Sequence, residues 1–268
     1  MQKRILIVSQ EVFPYISNGD LSESVLDLAK IIKKNKDAEV RLFMPRYGCV
    51  NERRHQLHEV IRLSGVNIVV NDIDQPLIVK VASIPQARLQ VYFIDNDEYF
   101  QRKLILHNKE GDLIPDNDER MMFFCRGVLE TLQMLGWSPS IIHCHGWFSS
   151  LLPLYLKTIY AQHSVFENTK VISSIYKPSF KGLLNKELIE KIKFDGIDEE
   201  LIKLLKKPNA KNLNELSTQF SDGLILDKNH KNDNILNYAN SKNIPVLSPE
   251  EPSEYYKFYQ NFFSEALV

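Results

Sequence analysis

Two histidines stand two residues apart, His143 and His145, in the stretch SIIHCHGW. In an extended strand alternate side chains share a face, so both imidazoles point one way and Cys144 the other. Imidazole exchanges a proton near neutral pH and also binds metals. A metal needs three or four ligands, and no third lies nearby in sequence, so no metal and no other cofactor is expected. PYISNGDL (14–21) has the outline of a phosphate-binding turn. A glycine and small polar residues there lead into a helix, whose first N–H groups attract anions. Yet the turn holds no Lys or Arg, and Asp20 stands where an anion would be received. A unit charge pair about 5 Å apart at an effective dielectric near 20 is worth roughly 3 kcal/mol, so each such change matters. The turn therefore reads as a helix start capped by Asp20. Asp116 and Asn117, just ahead of a long helical pattern, are also natural caps. Glu11, Tyr176 and Lys177 follow apolar runs, and as a bland reading they are turn residues and a solvated lysine.

Such residues need elements to place them. ILIV (5–8) reads as a buried strand, DLSESVLDLAKIIKKNK as an amphipathic helix, and EVRLFMP (39–45) as the next strand. Strand, helix and strand within about 40 residues make a βαβ unit with a parallel pair. HEVIRLSGVNIVVN, PLIVKVASIP and LQVYFIDN read as strands in hairpin or meander order, and 97–118 as a long charged loop. The alternation then resumes: a helix over ERMMFFCRGVLETLQML, a strand at 141–144, a helix over LLPLYLKTIYA, and a strand at 170–176. A charged helical segment follows at 185–206, then a short helix, a strand at 222–227, a polar connection at 228–234 and a strand at 244–248. An aromatic helix closes the chain at 253–266. The expected fold is α/β, one doubly wound, Rossmann-like parallel sheet with an inserted antiparallel portion.

The 33 basic and 34 acidic residues nearly cancel, which argues against nucleic acid or an anionic membrane as partner. The four-residue apolar run near the N-terminus is too short for a secretion signal, and no run approaches a membrane span. Three unpaired cysteines, Cys49, Cys125 and Cys144, read as buried reduced thiols, and a cytoplasmic location is expected.

Four segments in order resemble bacterial glycogen synthases and plant starch synthases: ILIVSQEVFPYISNGDL, MPRY (44–47), the stretch from PDNDER to HCHGW (115–147), and LLPLYLK (151–157). The resemblance covers roughly residues 1–182. It implies the N-terminal half of a GT-B glycosyltransferase. That family transfers glucose from ADP-glucose to the non-reducing end of an α-1,4-glucan with retention. Its first domain supplies the acceptor site and part of the donor site. By the resemblance, His145 stands where the family's histidine contacts the sugar, Trp147 matches, and Gly146 replaces an Asp. Ser17, Asn18, Gly19 and Asp20 stand at the family's Lys, Thr, Gly and Gly. Glu11, Asp116 and Asn117 match. Tyr176 and Lys177 replace a His and an Asn. Structural positions are kept while each matched site carries a substitution. The expectation is one starch-synthase-like domain over 1–268, its C-terminal helix packing back on it. It would bind a sugar nucleotide or an α-glucan and be impaired or inactive alone, since donor-site residues and a second domain are missing. Two alternatives stay open: one half of a split glycosyltransferase, with a partner chain supplying the second domain, and a non-enzymatic interaction or regulatory module.

Overall fold

The computed structural model describes residues 2–17, 20–227 and 232–263. Strand β1 (Lys3–Ser9) leads through the 10–19 turn to α1 (Asp20–Lys33), then to β2 (Ala38–Pro45) and α2 (Glu52–His55). Ile5 to Val8 of β1 are wholly buried, which is why that run is apolar at every position. Val25, Leu28, Ala29 and Ile32 form the buried stripe of α1, and Lys30 and Lys33 in its last turn complement the helix dipole.

The middle of the chain holds β3 (His58–Glu59), β4 (Asn67–Val70), β5 (Ile73–Pro76), β6 (Ile78–Ile84) and β7 (Leu89–Asp95). It is broken more finely than the sequence suggests. HEVIRLSGVNIVVN divides into β3, a single helical turn at 61–63 and β4, with Gly65 at φ 92° between them. Asn71 and Asp72, both at positive φ, turn β4 into β5 as a separate two-stranded ribbon. The loop after β7 opens with a short helix, α3 (Asp97–Phe100), capped by Asn96, and carries an isolated bridge between His107 and Leu113.

The long α4 (Asn117–Leu135) ends at Gly136, whose φ of 58° stops the helix. Next come β8 (Ile141–His145), α5 (Leu152–Lys157) and β9 (Lys170–Ile175). The charged stretch expected as one helix is α6 (Leu188–Phe194), α7 (Glu199–Ile202) and a tight turn at 203–206, interrupted at Gly196, φ 85°. Then follow α8 (Ala210–Gln219), β10 (Gly223–Leu226), α9 (Asp233–Ser241), β11 (Val246–Leu247) and α10 (Ser253–Gln260). The polar connection at 228–234 lies outside the described residues over 228–231, and the terminal helix ends at Gln260, with 264–268 also outside them.

Nine strands form one sheet in the order β11-β10-β9-β8-β1-β2-β7-β6-β3. All neighbours run parallel except β6, antiparallel to β7, and β3, antiparallel to β6. The chain winds outward from β1 through β2 to β7, then returns to the other side of β1 as β8 and winds away to β11. The reversal lies between β1 and β8. Helix α10 runs toward the amino ends of the strands, where Tyr256 donates to Asp37 at 2.7 Å and Phe262 covers Gly223. No helix among the described residues is long and apolar enough to cross a membrane. Cys49 is exposed, contrary to expectation, because it sits in the open turn after β2, whereas Cys125 and Cys144 are buried; all three are free thiols.

Candidate ligand cavity at the sheet reversal

The turns leaving β1, β8, β9 and β10 at their carboxyl ends surround a cavity of about 680 Å³. It straddles the reversal between β1 and β8, where open α/β sheets place their ligands. Gln10 and Glu11 come from the turn after β1, Gly146 and Trp147 from that after β8, and Tyr176 and Lys177 from that after β9. Asp227 follows β10, Asn214 comes from α8, and Tyr255 reaches in from α10. Leu21 and Ser24 bring the first turn of α1 to the same wall.

Ser17 is exposed. Asn18, Gly19 and the side chain of Asp20 lie outside the described residues, so the expected Asp20 cap does too; the helix itself begins at Asp20. Gly146 has φ 78°, which is what favours glycine in the turn after β8; a Cβ there would also meet Gln10 Oε1, the movable end of a side chain, at 2.8 Å.

His145 does not line this cavity. It is 2 % exposed, and both ring nitrogens are engaged. Its Nδ1 lies 2.8 Å from Tyr176 Oη and its Nε2 3.1 Å from His143 Nδ1. His143, wholly buried on the same face as the sequence period required, has Nδ1 also 2.6 Å from Tyr259 Oη and Nε2 2.8 Å from Ser174 Oγ. His143 Nδ1 has one lone pair or one N–H to share between Tyr259 and His145, so those two contacts form a bifurcated bond, and with both rings neutral two proton arrangements, one the reverse of the other, fit the set. In one, both tyrosines donate to the Nδ1 atoms, and the Nε2–H groups donate onward. Burial pushes His145 down to about 3. Burial, and then the neighbouring imidazole, hold His143 well below the usual range. Tyr176 thus lies over His145, and Tyr259 of α10 closes the pair from the other end.

Asp116 and Asn117 also stand apart from the cavity. Asn117 is buried, donates from Nδ2 to Leu106 O at 2.7 Å, and accepts from Arg120 Nη1 at 2.7 Å. Arg120, wholly buried, donates to Tyr99 O at 2.8 Å and Ile105 O at 2.6 Å. The pair stitches the 99–106 segment to α4. Asp116 does not cap α4 with its side chain, as expected of it; its carboxylate instead pairs with Arg102, which the loop brings beside it. Among the described residues no cluster of three or more His, Cys, Asp or Glu is arranged to hold a metal. Asp227, Asn214, Ser174 and Tyr255 are among the cavity residues that sequence reasoning passed over. Asp227 alone carried a signal, an acid directly after a short apolar strand.

A doubly wound sheet with its cavity at the reversal defines a class of ligand-binding α/β domains, and the comparisons narrow it. The model of the Starch synthase catalytic domain matches residues 4–239, and the chain belongs to that family. It is 39% identical over 192 residues to a glycogen synthase from Chlorobium limicola, a match covering 70% of this chain and 39% of that protein. Against the glycogen synthase of Chlorobium luteolum it is 35% identical over 229 residues, 85% of this chain and 46% of the relative. The chain therefore spans less than half the length of these relatives. Among solved structures it is similar to the catalytic domain of Starch Synthase IV from Arabidopsis thaliana, determined with ADP and acarbose bound. That match has a TM-score of 0.71 at 17% identity, over 98% of this chain and 50% of that one. At that identity the likeness shows the fold, the α/β arrangement of a GT-B catalytic domain.

Proposed function

We propose that this chain is the glucan-holding domain of a glycogen- or starch-synthase-like glycosyltransferase, and that alone it transfers no glucose. The observation that carries this reading is the cavity's make-up together with the seal over His145. Tyr176, Tyr255 and Trp147 line it with aromatic side chains, while Glu11, Asp227 and Asn214 offer polar groups. Sugars present C–H faces to aromatic rings and hydroxyls to carboxylates and amides, so a neutral polyhydroxylated ligand suits such a wall. A diphosphate suits it less. Glu11 and Asp227 outnumber Lys177 there, and Ser17 and Asp20 stand where the resemblance has Lys and Gly. The names of the relatives, glycogen synthases, and the acarbose held by the Arabidopsis enzyme support an α-glucan as the ligand. His145, the matched sugar-contacting residue, has no free nitrogen to offer while Tyr176 and His143 hold both.

Calorimetry with maltoheptaose, ADP and ADP-glucose, followed by a radiolabelled glucose-transfer assay, tests this. Binding of maltoheptaose without ADP-glucose binding or transfer is expected. Transfer by the isolated chain at ordinary enzyme rates, of about 1 s⁻¹ or more, overturns it.

A further inference from the structure

A second cavity, of about 510 Å³, shares no described lining residue with the first. Two elements run past both. In the turn after β1, Gln10 and Glu11 line the first cavity, and Phe13, Pro14 and Tyr15 the second. On α1, Leu21 and Ser24 line the first, and Leu26 and Lys30 the second. The remaining walls are α2, with Arg54 and His55, and the tight turn at 85–87. Tyr15 lies edge-on to Phe93 of β7, ring centroids 4.8 Å apart. Ile94, the next residue of β7, packs close to Gly127 of α4. Successive side chains of a strand face opposite ways, so this cavity lies on the sheet face away from α4.

Its floor is apolar, from Phe13, Pro14, Leu26, Ile84 and Ala87. Its charge is of one sign. Lys30, Arg54 and His55 line it, and among the described residues no Asp or Glu does. The acids of the neighbouring helices are engaged elsewhere. Glu52 of α2 pairs with Arg46 at 3.1 Å and with Lys80 at 2.7 Å, and Asp27 of α1 pairs with Lys30 at 2.9 Å. Arg54 is different. Its backbone N–H donates to Asn51 Oδ1, but its guanidinium has no ion pair or hydrogen bond among the described residues. Burial, and then the Arg54 charge, hold His55 below the usual imidazole range. The His55 ring stands 4.9 Å from that of Tyr15. Tyr15 is 6% exposed, and its hydroxyl too has no hydrogen-bond partner among the described residues. A guanidinium grips a carboxylate or a phosphate with two parallel hydrogen bonds. An apolar body attached to that anion would cover the floor that water otherwise meets.

We propose that this second cavity binds a small organic anion, a carboxylate or phosphate monoester on an apolar ring, with the charge held by Arg54 and the ring laid on the apolar floor. The site is independent of the glucan reading of the first cavity.

Calorimetry of the intact chain in low salt tests this with phenyl phosphate, phenylacetate, inorganic phosphate and benzyl alcohol. At least one of the two organic anions should bind about tenfold or more tightly than inorganic phosphate, which lacks the ring, and than benzyl alcohol, which lacks the charge. The tighter of the two tells whether the fork takes a phosphate or a carboxylate. Arg54→Ala should weaken that binding about tenfold or more. Arg53→Ala makes the same change in net charge on an exposed neighbour outside the cavity, and should cost about twofold or less. Inorganic phosphate binding as tightly as both organic anions would mean an adventitious ion only. Equal losses from the two arginine variants would mean long-range attraction alone. Either result overturns the site, as does a failure of both organic anions to bind. Both arginines are exposed, thermal melting checks the fold of each variant, and the wild-type series decides the matter even where a variant does not fold.

Discussion

His143 and His145 are buried side by side with no carboxylate in hydrogen-bond reach, so an imidazolium there would lose its hydration without a counter-charge. Both folded-state acidities lie below the unfolded value near 6.5. The unfolded chain therefore takes up protons first on acidification. The stability tied to the neutral rings is fully present above about pH 6.5 and is lost as the pH falls toward the folded values, about 3 for His145. Between pH 7.5 and 5.5 the pair should lose about 2–3 kcal/mol of unfolding free energy. His55, shifted down by burial and by Arg54, adds in the same direction. Urea midpoints over this range check it, and His145→Asn should flatten the slope by roughly half; a midpoint indifferent to pH would contradict the buried neutral pair. At Gly146 the expectation is local. Ala would place a Cβ against Gln10 at a positive φ, costing about 1–2 kcal/mol by the same measurement.

At the scale of elements, α10 has eight residues, too few to hold a helix by propensity alone. It stays because its side chains are anchored: Tyr259 on His143, Tyr256 on Asp37, and Phe262 in the space that Gly223 leaves. The anchors are unequal. Tyr259→Phe strips a hydroxyl from a buried imidazole nitrogen and should cost about 1–2 kcal/mol. Tyr256→Phe removes an exposed bond to Asp37 and should cost well under about 1 kcal/mol. Equal losses in thermal melts would mean that the buried contact is not what fixes α10. Most of the sheet was legible in the sequence. β1, α1, β2, α4 and β8 carry unbroken apolar runs or stripes whose period tertiary contacts do not alter. The 58–76 and 185–206 stretches were not, because Gly65, the Asn71–Asp72 turn and Gly196 break them at positive φ inside otherwise continuous patterns. The shared face of the two histidines follows from strand period. Their seal does not: Tyr176 and Tyr259 lie 31 and 116 positions from the atoms they meet. Likewise the Arg102 that takes Asp116 from its cap is 14 residues upstream, within a loop with no pattern.

At the scale of the molecule, the reversal of winding gathers the turns after β1, β8, β9 and β10, with parts of α1, α8 and α10, around one cavity, so a ligand there would meet their summed charge rather than any single side chain. Leu21 and Ser24 place the first turn of α1 on the cavity wall. A helix start is a favourable place for a phosphate when nothing negative competes and a cation stands by. This sequence instead has Ser17 and Asp20 at that start, and Glu11 and Asp227 across the cavity, against Lys177 alone among the cavity-lining residues named. On the proposed reading the sign of the field, rather than the shape of the fold, is what disfavours a nucleoside diphosphate. Ser17→Lys/Asp20→Gly adds one cation and removes one anion at that corner, a net change of two charge units, while leaving every strand in place. Exposure and salt screen part of the effect. ADP affinity in low salt should still rise about tenfold to a hundredfold, and the gain should shrink as ionic strength increases. Maltoheptaose, being neutral, should bind the variant and the original alike at either salt concentration. Calorimetry of the two ligands at low and physiological salt reads both effects at once. An unchanged ADP affinity in the double variant would show that the barrier is steric, and would move the explanation from charge at the helix start to the tyrosines of the cavity wall.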